Sequence, residues 1–544
     1  MTELRSTPRI LPVGEQALLV ELADLATTLG FFDSLRAAEL DGIVEAVPAA
    51  RTVLVKYAPG TVSYGELADR LATLDVSDGT SSSGQLVEIP VHYDGADLSE
   101  VADLLGITTA ELIRRHCESD YRVAFGGFAP GFAYLAGGDP LLDVPRRATP
   151  RTRIPAGAVG LAGTFSGVYP RESPGGWQLI GRTDVVMWDL DRTPPATLQP
   201  GDRVRFVDAG PARVNGVPVS TSTVIRANSG CAERAVEVLR PGAQAVLQDE
   251  GRVGVAGLGV TGSGALDRPA LHTSNGLVGN SPGEAAIEFA QGGEIEAHGE
   301  IVLAVAGACG ELRITRRSGR VDSAAGLSPI ALGSGERLAI VPARGGLRNY
   351  LAVRGGFDVP LVLGSRATDT LSGIGTPPLT AGSMLDVRTI GAVPFPPVRA
   401  PEPWPSEHVF ADVVELPVVL GPRDDWFTQQ ALGTLFTQLW GVTRQSNRVG
   451  LRLHGDLPLE RSITDELPSE GVVPGALQVP ASGQPVLFLA DHPVTGGYPV
   501  IAVLTTRALA VAAQLTPGIS VRFTAADSSL TPLAVHTPTS LELP

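Results

Sequence analysis

The sequence of 544 residues contains almost no lysine. Among its 42 basic side chains only Lys56 is a lysine, and it stands in V-L-V-K-Y, an alternating run typical of a β-strand. A Walker A loop requires a lysine after its glycine turn, so the composition excludes a P-loop nucleotide site. A strand is also a poor place for the acceptor lysine of a biotinyl domain. Any phosphate or carboxylate must therefore be bound by arginine and backbone amides.

Cysteine, long apolar runs and positive net charge are scarce as well. The three cysteines, Cys117, Cys231 and Cys309, are far apart and form no CxxC pair, which predicts reduced thiols in a cytoplasmic protein. The N-terminus has no apolar signal region and no run approaches 18 apolar residues, so we expect neither export by that route nor a membrane span. A net charge of −16 argues against nucleic acid or an anionic membrane as a partner. The eight histidines show no metal-ligand spacing, so we expect no structural metal.

One passage occurs twice, and this repeat is the most informative feature that the chain does contain. L-Q-P-G-D-R-V-R-F begins at Leu198 and L-T-P-G-I-S-V-R-F begins at Leu515. A Gly-Gly-aromatic turn precedes each copy, ending at Trp177 in the first and at Tyr498 in the second. Such self-similarity predicts two homologous modules, and a cleft between modules is a common place for a ligand. A weaker third copy, L-T-A-G-S-M-L-D-V, ends at Val387.

Apolar periodicity predicts a small α/β unit at the N-terminus and β-rich structure beyond it. Short apolar runs separated by Gly and Pro, from Tyr121 onward, are typical of closed or sandwiched sheets. Composition predicts a flexible linker at Ser77 and an extended connector between Pro394 and Pro405. The predicted strands are Ala17–Leu22, Arg51–Tyr57 and Leu86–Tyr93, and the predicted helices are Leu25–Leu40, Tyr64–Leu74, Leu98–Leu105, Thr109–Glu118 and one from Asp424.

Three glycine-rich or arginine-rich clusters in the first half are candidates for binding a ligand. The turn within 126–135 would expose backbone N–H groups beside aromatic rings. Two arginines between prolines would be pre-ordered for a planar anion, and paired glycines allow close approach of a ligand. A strand corner, a solvated edge strand and a β-bulge are the respective alternatives. The candidate residues are Phe128, Pro130, Gly131, Arg151, Arg153, Gly175, Gly176, Trp177 and Arg182.

Carboxylates and amides follow apolar strands in the middle of the chain. The glycine run from Gly254 to Gly264 contains G-L-G-V-T-G, formally a dinucleotide fingerprint, but Pro269 stands where the required long helix should begin. We therefore reject that interpretation. The polar run from Gly364 to Thr370 suits an oxyanion, and Glu288 is expected on a buried strand. The candidate residues are Gln248, Asp249, Arg252, Asn275, Asn280, Glu288, Arg366 and Asp369.

The C-terminal module offers a further set of candidates. Alternation in 446–453 would place Arg448 and Arg452 on one face of a strand. His492 beside Asp491 could act as an acid or base, although an ordinary surface histidine is the simpler interpretation. The remaining candidates belong to the second copy of the repeat and are Gln478, Gly496, Gly497 and Tyr498.

Several long motifs resemble a known pair of protein subunits. G-F-A-P-G-F-A-Y-L, P-R-x-x-T-P-R-T-R-I-P-A-G-A-V-G and S-P-G-G-W-Q-L-I-G-R-T are similar to the B subunit of prokaryotic 5-oxoprolinase, which is also called allophanate hydrolase subunit 1. Q-D-E-G-R-x-G, Y-L-A-V-R-G-G, G-S-R-A-T-D, N-R-V-G-L-R-L and T-G-G-Y-P are similar to the C subunit of the same enzyme. The same pair resembles the carboxyltransferase region of urea carboxylase. The resemblance implies a natural fusion of the two subunits.

The implied fold is mainly β with α+β character, with cyclophilin-like β-barrel modules in both halves and a small N-terminal α/β domain. Pro493 and the turn at 375–378 depart from the family pattern. The expected units are an α/β domain at 1–80, a B-type barrel at 86–210, a first C-type barrel at 234–390, a connector at 391–412 and a second C-type barrel at 413–544.

The resemblance implies ATP-dependent opening of 5-oxo-L-proline to L-glutamate together with a separate A subunit from the LamB/YcsF family. Phosphorylation of the lactam carbonyl would use arginines and glycine amides to bind phosphate. The candidate catalytic residues are Asp249, Glu288, Asp491 and His492, and the three carboxylates among them are candidates to hold Mg²⁺. We expect a cytoplasmic enzyme component that can form a homo-oligomer.

Two other functions are compatible with the same motifs. A biotin-dependent carboxyltransferase would move a carboxylate to urea or a related small amide, with biotin carried on a partner chain. A regulatory protein that binds and inhibits a kinase is the non-enzymatic alternative, because one relative of the first half acts in this way. The sequence alone leaves these alternatives open.

Overall fold

The computed structural model describes residues 8–74, 84–147, 149, 151–211, 233–324, 326–343, 345–389 and 412–526. The linker expected at Ser77 and the proline-rich connector lie outside the described residues, as does most of the segment that joins the two halves. Within the described ranges, no helix is both long and apolar enough to cross a bilayer.

The N-terminal unit is a four-stranded antiparallel sheet covered by two helices on one face. Asp24 caps the first helix and Ser63 forms a capping box with Glu66 at the second, which is why both helices begin where apolar periodicity predicts. The strands have the order β1-β2-β4-β3. The elements are β1 Arg9–Pro12, β2 Ala17–Glu21, α1 Leu25–Ala38, β3 Ile43–Pro48, β4 Thr52–Tyr57 and α2 Tyr64–Ala72.

The first barrel follows with seven strands and two helices. The sheet order is β12-β9-β10-β7-β6-β13-β5, and a bridge between His92 and Arg182 joins its two edges. Thr108 caps the second of its helices, as predicted. The elements, including the separate pair β8 and β11, are β5 Leu86–Val91, α3 Leu98–Leu105, α4 Thr109–Glu118, β6 Tyr121–Gly126, β7 Ala133–Ala136, β8 Arg151–Ile154, β9 Ala158–Ala162, β10 Phe165–Val168, β11 Ser173–Gly175, β12 Gln178–Arg182 and β13 Arg203–Asp208.

The middle region consists of two sheets instead of the barrel expected for 234–390. Their orders are β20-β19-β22-β17-β14-β24 and β15-β16-β23-β18-β21, and Ile295, Leu312, Phe289 and Leu351 belong to the core that they share. The elements are β14 Ala235–Arg240, β15 Gln244–Gln248, α5 Arg268–Val278, β16 Ala286–Ala290, β17 Gly293–His298, β18 Ile301–Gly307, β19 Cys309–Thr315, β20 Val321–Ala324, β21 Ile330–Leu332, β22 Arg337–Pro342, β23 Arg348–Val353 and β24 Ser383–Asp386.

The second barrel is closed, with the strand order β25-β32-β29-β30-β27-β26-β33. Its first helix begins later than predicted, because Asp424 opens a short 3₁₀ turn and Thr428 is the residue that caps the helix. The elements are β25 Val413–Leu420, α6 Gln429–Thr437, β26 Trp440–Val442, β27 Gly450–His454, β28 Glu470–Gly471, β29 Ala476–Gln478, β30 Val486–Phe488, β31 Thr495–Gly496, β32 Val500–Leu504, α7 Thr506–Ala512 and β33 Ser520–Ala525.

The two clear copies of the repeat occupy equivalent places in the two barrels. β13 pairs in parallel with β5 and antiparallel with β6, while β33 pairs in parallel with β25 and antiparallel with β26. Gly201 and Gly518 make the preceding turn at φ 92° and 97°, a conformation that suits glycine. In the weaker third copy, β24 pairs with β14 antiparallel. The duplication is therefore confirmed for two barrels, and the prediction of a third such module from the weaker copy is wrong.

The N-terminal unit lies between the halves and packs on the second barrel. The sheet face opposite its helices contributes Leu19 and Leu54 to a core shared with Phe488 and Val503. Arg423 also donates to Glu21 across this contact at 3.0 Å. On the other side, Ala49 and Leu25 pack with the aromatic core of the first barrel. Residues 8–74 thus contact both barrels through buried apolar surfaces.

Candidate functional site

A turn from each barrel meets at the junction between the two halves. The backbone N–H of Phe128 donates to the Thr495 hydroxyl at 3.1 Å, and a Cβ added at Gly127 would lie only 2.7 Å from the same oxygen. Phe128 has φ 62°, an uncommon value for a bulky residue. The strained turn of the first barrel is thereby held against the T-G-G-Y turn of the second.

A cleft of about 630 Å³ lies at the junction of the three units. The N-terminal unit, the first barrel and the second barrel all contribute to its walls, so no single unit could form it. Its lining includes Asp24, Leu25, Ala50, Arg51, Asp143, Pro145, Arg146, Ala162, Thr164, Phe165, Glu466, Pro468 and Ser469. A concave site of this size is within the range that holds a small molecule.

Arg146 is the main polar group that joins the two barrels at the cleft. Its Nε lies 3.0 Å from Glu466 Oε1, and its Nη2 is 3.5 Å from the Ser469 hydroxyl, which the Tyr134 hydroxyl also approaches at 3.4 Å. A Cβ at Gly497 would stand 3.2 Å from Arg146 Nη1. Because Glu466 is more than half exposed, an incoming anion can replace it on the guanidinium group.

A second cation, Arg51, also lines the cleft. Arg51 is exposed there beside Asp24, whose pKa is lowered mainly by the hydrogen bond from the backbone N–H of Thr27. Two guanidinium groups and two hydroxyls can bind carboxylate, phosphate or carbonyl oxygens. The arrangement is one for binding and orienting a ligand.

The glycine motifs expected to expose backbone amides are used for packing between the halves. A Cβ at Gly126 would lie 2.3 Å from the Gly257 carbonyl, and one at Gly259 would lie 2.3 Å from the Ala129 carbonyl. Gly131 N–H donates to Leu258. Pro130 is buried in the same contact. The run from Gly254 to Gly264 therefore permits close backbone approach between the halves, which the sequence did not predict.

The expectation that no helix follows that glycine run is wrong. An 11-residue helix, α5, begins at Arg268 with Pro269 in its first turn. Proline is tolerated there because the N–H groups of a first turn have no partner within the helix. The rejection of a dinucleotide site depends instead on the packing role of the glycines.

The arginine pair of the first half is divided between two internal partners. Arg151 donates to Asp97 at 2.6 and 2.9 Å, whereas Arg153 is largely exposed and paired with Glu172. Burial raises the pKa of Asp97, but hydrogen bonds from Arg151 and from Leu179 N–H outweigh it and leave the pKa below its usual range. The anion expected at these arginines is thus the protein's own carboxylate.

The glycine pair before Trp177 is likewise packed against other parts of the protein. A Cβ at Gly175 would lie 2.4 Å from the Tyr169 hydroxyl, Gly176 accepts from the Arg147 N–H at 2.8 Å, and the Trp177 ring packs edge-on against Phe132. Arg182 is exposed and pairs with Asp94. This turn supports the aromatic core next to the barrel junction.

Three predicted residues form a buried charged network instead of a metal site. Arg448 donates to Asp491 at 3.0 and 3.1 Å and to Glu288. Ser263 and Thr370 donate to Asp491, both at 2.6 Å, and Tyr350 donates to Glu288 at 2.6 Å. Burial raises the pKa of both carboxyls, but the Arg448 charge holds both below their usual values. The network joins the middle region to the second barrel.

These carboxylates do not fit Mg²⁺. Each oxygen of Glu288 and Asp491 already accepts hydrogen bonds from the protein, and both residues are almost completely buried. A Mg²⁺ ion requires several oxygen ligands and usually keeps waters of its own. Asp249 does not fit either, because Ser365 Oγ and Arg366 N–H both donate to it at 2.6 Å. The oxyanion bound by 364–370 is therefore the Asp249 carboxylate.

Arg448 and Arg452 do not share a face of one strand. β27 begins only at Gly450, so Arg448 precedes it and is buried while Arg452 is exposed on the strand. Apolar alternation does not show where a strand begins. Here the start of β27 decides that only Arg452 of the two arginines lies on the strand.

His492 is buried, contrary to the expectation of a surface histidine. Burial, with a smaller effect from Lys56, lowers its pKa to about 4, and its ring lies 5.9 Å from that of Phe488. A histidine that remains neutral down to this pH is a poor acid or base near neutrality.

The other predicted residues hold loops in place. Asn275 lies within α5 and donates to Pro282 and Glu284, Asn280 donates to Val353, and Gln248 donates to Thr368. Gln478 donates to the carbonyl of Tyr498 at 3.0 Å and so supports the T-G-G-Y turn. Asp369 accepts from Leu371 and Ser372 within its own turn. Gln478 belongs to the barrel junction together with the predicted residues Gly496, Gly497 and Tyr498.

One group with metal-ligand chemistry lies on the sheet of the middle region. Glu237, Glu296 and His298 bring ligand atoms within 4.8 Å of one another. Each has a protein partner, since His298 bonds Glu237 at 2.9 Å and Glu296 accepts from Arg337 at 2.8 Å.

Sequence reasoning missed Arg146, Thr495 and Ser469, which contact across the junction. Arg146 and Thr495 do stand within quoted motifs, P-R-x-x-T-P-R and T-G-G-Y. Ser469 is 323 positions from Arg146, and no local signal connects the two.

The duplicated barrel and the shared cleft define a two-half protein of the carboxyltransferase-domain class. The family model described as carboxyltransferase domain, subdomain C and D, matches residues 8–198, and the model for subdomain A and B matches 258–525. The chain belongs to the family of 5-oxoprolinase B and C subunits, with both joined in one polypeptide.

Comparison with individual relatives supports this assignment for each half. The chain is 36% identical to the 5-oxoprolinase B subunit of Escherichia coli O157:H7, over 36% of this chain and 93% of the relative. It is 34% identical to the 5-oxoprolinase C subunit of Escherichia coli K12, over 53% of this chain and 90% of the relative. The crystal structure of TTHA0988 superposes with a TM-score of 0.80 at 33% identity, covering 94% of this chain and all of that one. The fused arrangement and the mainly β fold are thus confirmed.

Proposed function

We propose that this chain is the fused B and C component of an ATP-dependent 5-oxoprolinase, which opens 5-oxo-L-proline to L-glutamate in the cytoplasm with a separate A subunit. The observation that carries the proposal is coverage, because the chain spans nearly the full length of one B subunit and of one C subunit. The direct contact of the two halves around one cleft supports it further.

The proposed chemistry addresses the low reactivity of a lactam. Nitrogen donation stabilises the carbonyl, and transfer of the γ-phosphoryl group of ATP to the carbonyl oxygen would remove that donation. One water then adds to the carbon and the C–N bond breaks, which gives an acyl phosphate with a free amine. A second water hydrolyses the acyl phosphate, so that the products are L-glutamate, ADP and phosphate. Arg146 and Arg51 would bind substrate carboxylate or phosphoryl oxygens. ATP and Mg²⁺ belong to the complex as a whole, and we assign neither to residues of this chain.

The test compares Arg146→Gln with a matched control in the complex with the A subunit. Loss of a charge-assisted hydrogen bond of about 1.5–3 kcal/mol predicts a fall in kcat/KM of roughly 10-fold to 150-fold for glutamate formation. Arg182→Gln removes an exposed arginine of the same half, away from the cleft, and is expected to leave kcat/KM unchanged. Wild-type kcat/KM in Arg146→Gln would show that the reaction takes place elsewhere.

A biotin-dependent carboxyltransferase is the second candidate. The observation in its favour is that both matching family models are described as carboxyltransferase domains. Lys56, the single lysine, lies on β4 and pairs with Glu45 at 3.0 Å, so biotin would have to come on a partner chain. Carboxylation of urea that depends on a biotinylated carrier protein, with no glutamate from 5-oxo-L-proline, would select this function.

A further inference from the structure

A smaller pocket of about 240 Å³, called the side pocket below, adjoins the cleft. The two cavities are neighbours because four residues line both of them, namely Leu25, Asp143, Thr164 and Phe165. The volume of the side pocket is just below the range of about 300–1,000 Å³ in which pockets hold drug-sized molecules. The side pocket therefore suits a smaller group, and a ligand that entered it would extend into the cleft.

The side pocket and the cleft differ in charge. Leu142 and Leu161 are buried in the wall of the side pocket beside Ala136, and none of the described residues that line it is an arginine, a lysine or a histidine. The cleft, in contrast, contains Arg146 and Arg51. An anionic group would therefore be bound in the cleft, and an uncharged, largely apolar group in the side pocket.

Two carboxylates line the side pocket, and only one of them has a protein partner. Asp139 accepts from the Arg115 guanidinium at 2.6 Å and from Leu141 N–H at 2.9 Å. The exposed side chain of Asp143 forms no hydrogen bond or ion pair with any described residue. Because Asp143 lines both cavities, its carboxylate lies at the boundary between the apolar pocket and the cationic cleft. An ionised carboxylate only accepts hydrogen bonds, so this boundary favours an N–H group of a ligand.

We propose that Asp143 accepts the ring N–H of a small cyclic amide whose CH₂ groups lie in the side pocket and whose carboxylate is bound by Arg146 in the cleft. 5-Oxo-L-proline has this arrangement, since its carbonyl, N–H and carboxylate share one edge of the ring and its two CH₂ groups form the other. The lactam carbonyl then faces the cleft, where the phosphoryl group would be transferred. The inference rests on the proposed function and names the residue by which the site recognises the lactam.

The same carboxylate suits the product. Breaking the C–N bond leaves an amine that takes up a proton from water, and the resulting ammonium group of L-glutamate can pair with Asp143. Asp143 thus has a partner on the reacting nitrogen before and after the ring opens. Removal of Asp143 is therefore expected to weaken the binding of L-glutamate as well as that of the lactam.

The test measures the dissociation constants of two rings by calorimetry, with the complete chain in complex with the A subunit and without ATP. One ring is 5-oxo-L-proline, and the other is its lactone analogue, which has a ring oxygen in place of the N–H group and nearly the same size. In wild type the lactone is expected to bind roughly 10-fold to 150-fold more weakly, because it lacks the hydrogen bond to a charged acceptor. In Asp143→Ala the two rings are expected to bind within about threefold of each other.

A control variant and a stability measurement separate recognition from folding. Asp94→Ala removes an exposed aspartate of the same barrel that pairs with Arg182 and lines neither cavity, and it is expected to keep the wild-type preference for the lactam. The Asp143 side chain is exposed and has no described partner, so Asp143→Ala is expected to unfold within about 2 °C of the wild-type Tm.

Three binding results would overturn the inference. They are a preference for the lactam that persists in Asp143→Ala, equal binding of both rings by wild type, and binding of neither ring. Addition of ATP and Mg²⁺ to the wild-type complex then separates the inference from the proposed function. Glutamate formation with an unchanged preference in Asp143→Ala refutes the role of Asp143 alone, whereas no glutamate in wild type refutes the proposed function and the inference with it.

Discussion

Removal of Arg448 is the perturbation whose result the structure defines most sharply. Arg448 is fully buried and is the main counter-charge for both Glu288 and Asp491, which are themselves 2% and 0% exposed. Arg448→Met keeps much of the side-chain volume but leaves two carboxylates without their main partner. Breaking a buried pair in this way costs about 3–5 kcal/mol of unfolding free energy. Tyr350, Arg348, Ser263 and Thr370 still contact the carboxylates, which favours the lower end of that range.

Urea unfolding followed by circular dichroism at pH 8 and pH 5 measures this effect. In the variant, burial alone raises the pKa of both carboxyls, so protonation relieves the unpaired charge and the loss of stability is smaller at pH 5. Arg452→Met, an exposed arginine four positions away, is the matched control and is expected to change stability by less than about 0.5 kcal/mol. A loss below about 1 kcal/mol in Arg448→Met, or an equal loss at both pH values, would refute the bracing role of the network.

Two further predictions concern pH and the seam between the halves. Burial holds the pKa of His492 at about 4 in the folded state, below its ordinary value. Its contribution to the unfolding free energy is therefore complete above about pH 6.5 and is lost toward pH 4, at up to about 1.4 kcal/mol per pH unit. His492→Gln should flatten the dependence of unfolding free energy on pH over this window, and a curve parallel to that of the wild type would contradict the burial of His492. A Cβ at Gly259 would lie 2.3 Å from the Ala129 carbonyl, at φ 75°, so Gly259→Ala should lower Tm and speed proteolysis between the halves, whereas Gly276→Ala, where the space is open, should do neither.

The repeat shows how far sequence alone predicts this fold. L-x-P-G-x-x-V-R-F predicts equivalent strands because its glycine needs a left-handed turn and its phenylalanine needs a core, and Gly201, Phe206, Gly518 and Phe523 satisfy both. Caps such as Thr108 fix helix starts locally. The prediction based on the third copy fails because a short sequence match does not specify whether β24 pairs in parallel or antiparallel with its neighbour.

The candidate site was less predictable because arginines do not reveal their partners. Arg151 resembles a ligand-binding residue until Asp97, 54 positions away, is seen to hold it. Arg448 likewise meets Glu288 across 160 positions. Local sequence indicates that a buried anion is needed, whereas only the tertiary structure shows whether the protein or a ligand supplies it.

The most direct test of the central claim is a coupled assay with the purified chain, its cognate LamB/YcsF-family partner, ATP, Mg²⁺ and 5-oxo-L-proline. Glutamate and ADP are measured together in the same reaction. We predict that both form in equal amounts and that each requires the substrate and both proteins. Absence of glutamate, together with ADP release that 5-oxo-L-proline does not stimulate, would contradict the assignment of this chain as a 5-oxoprolinase component.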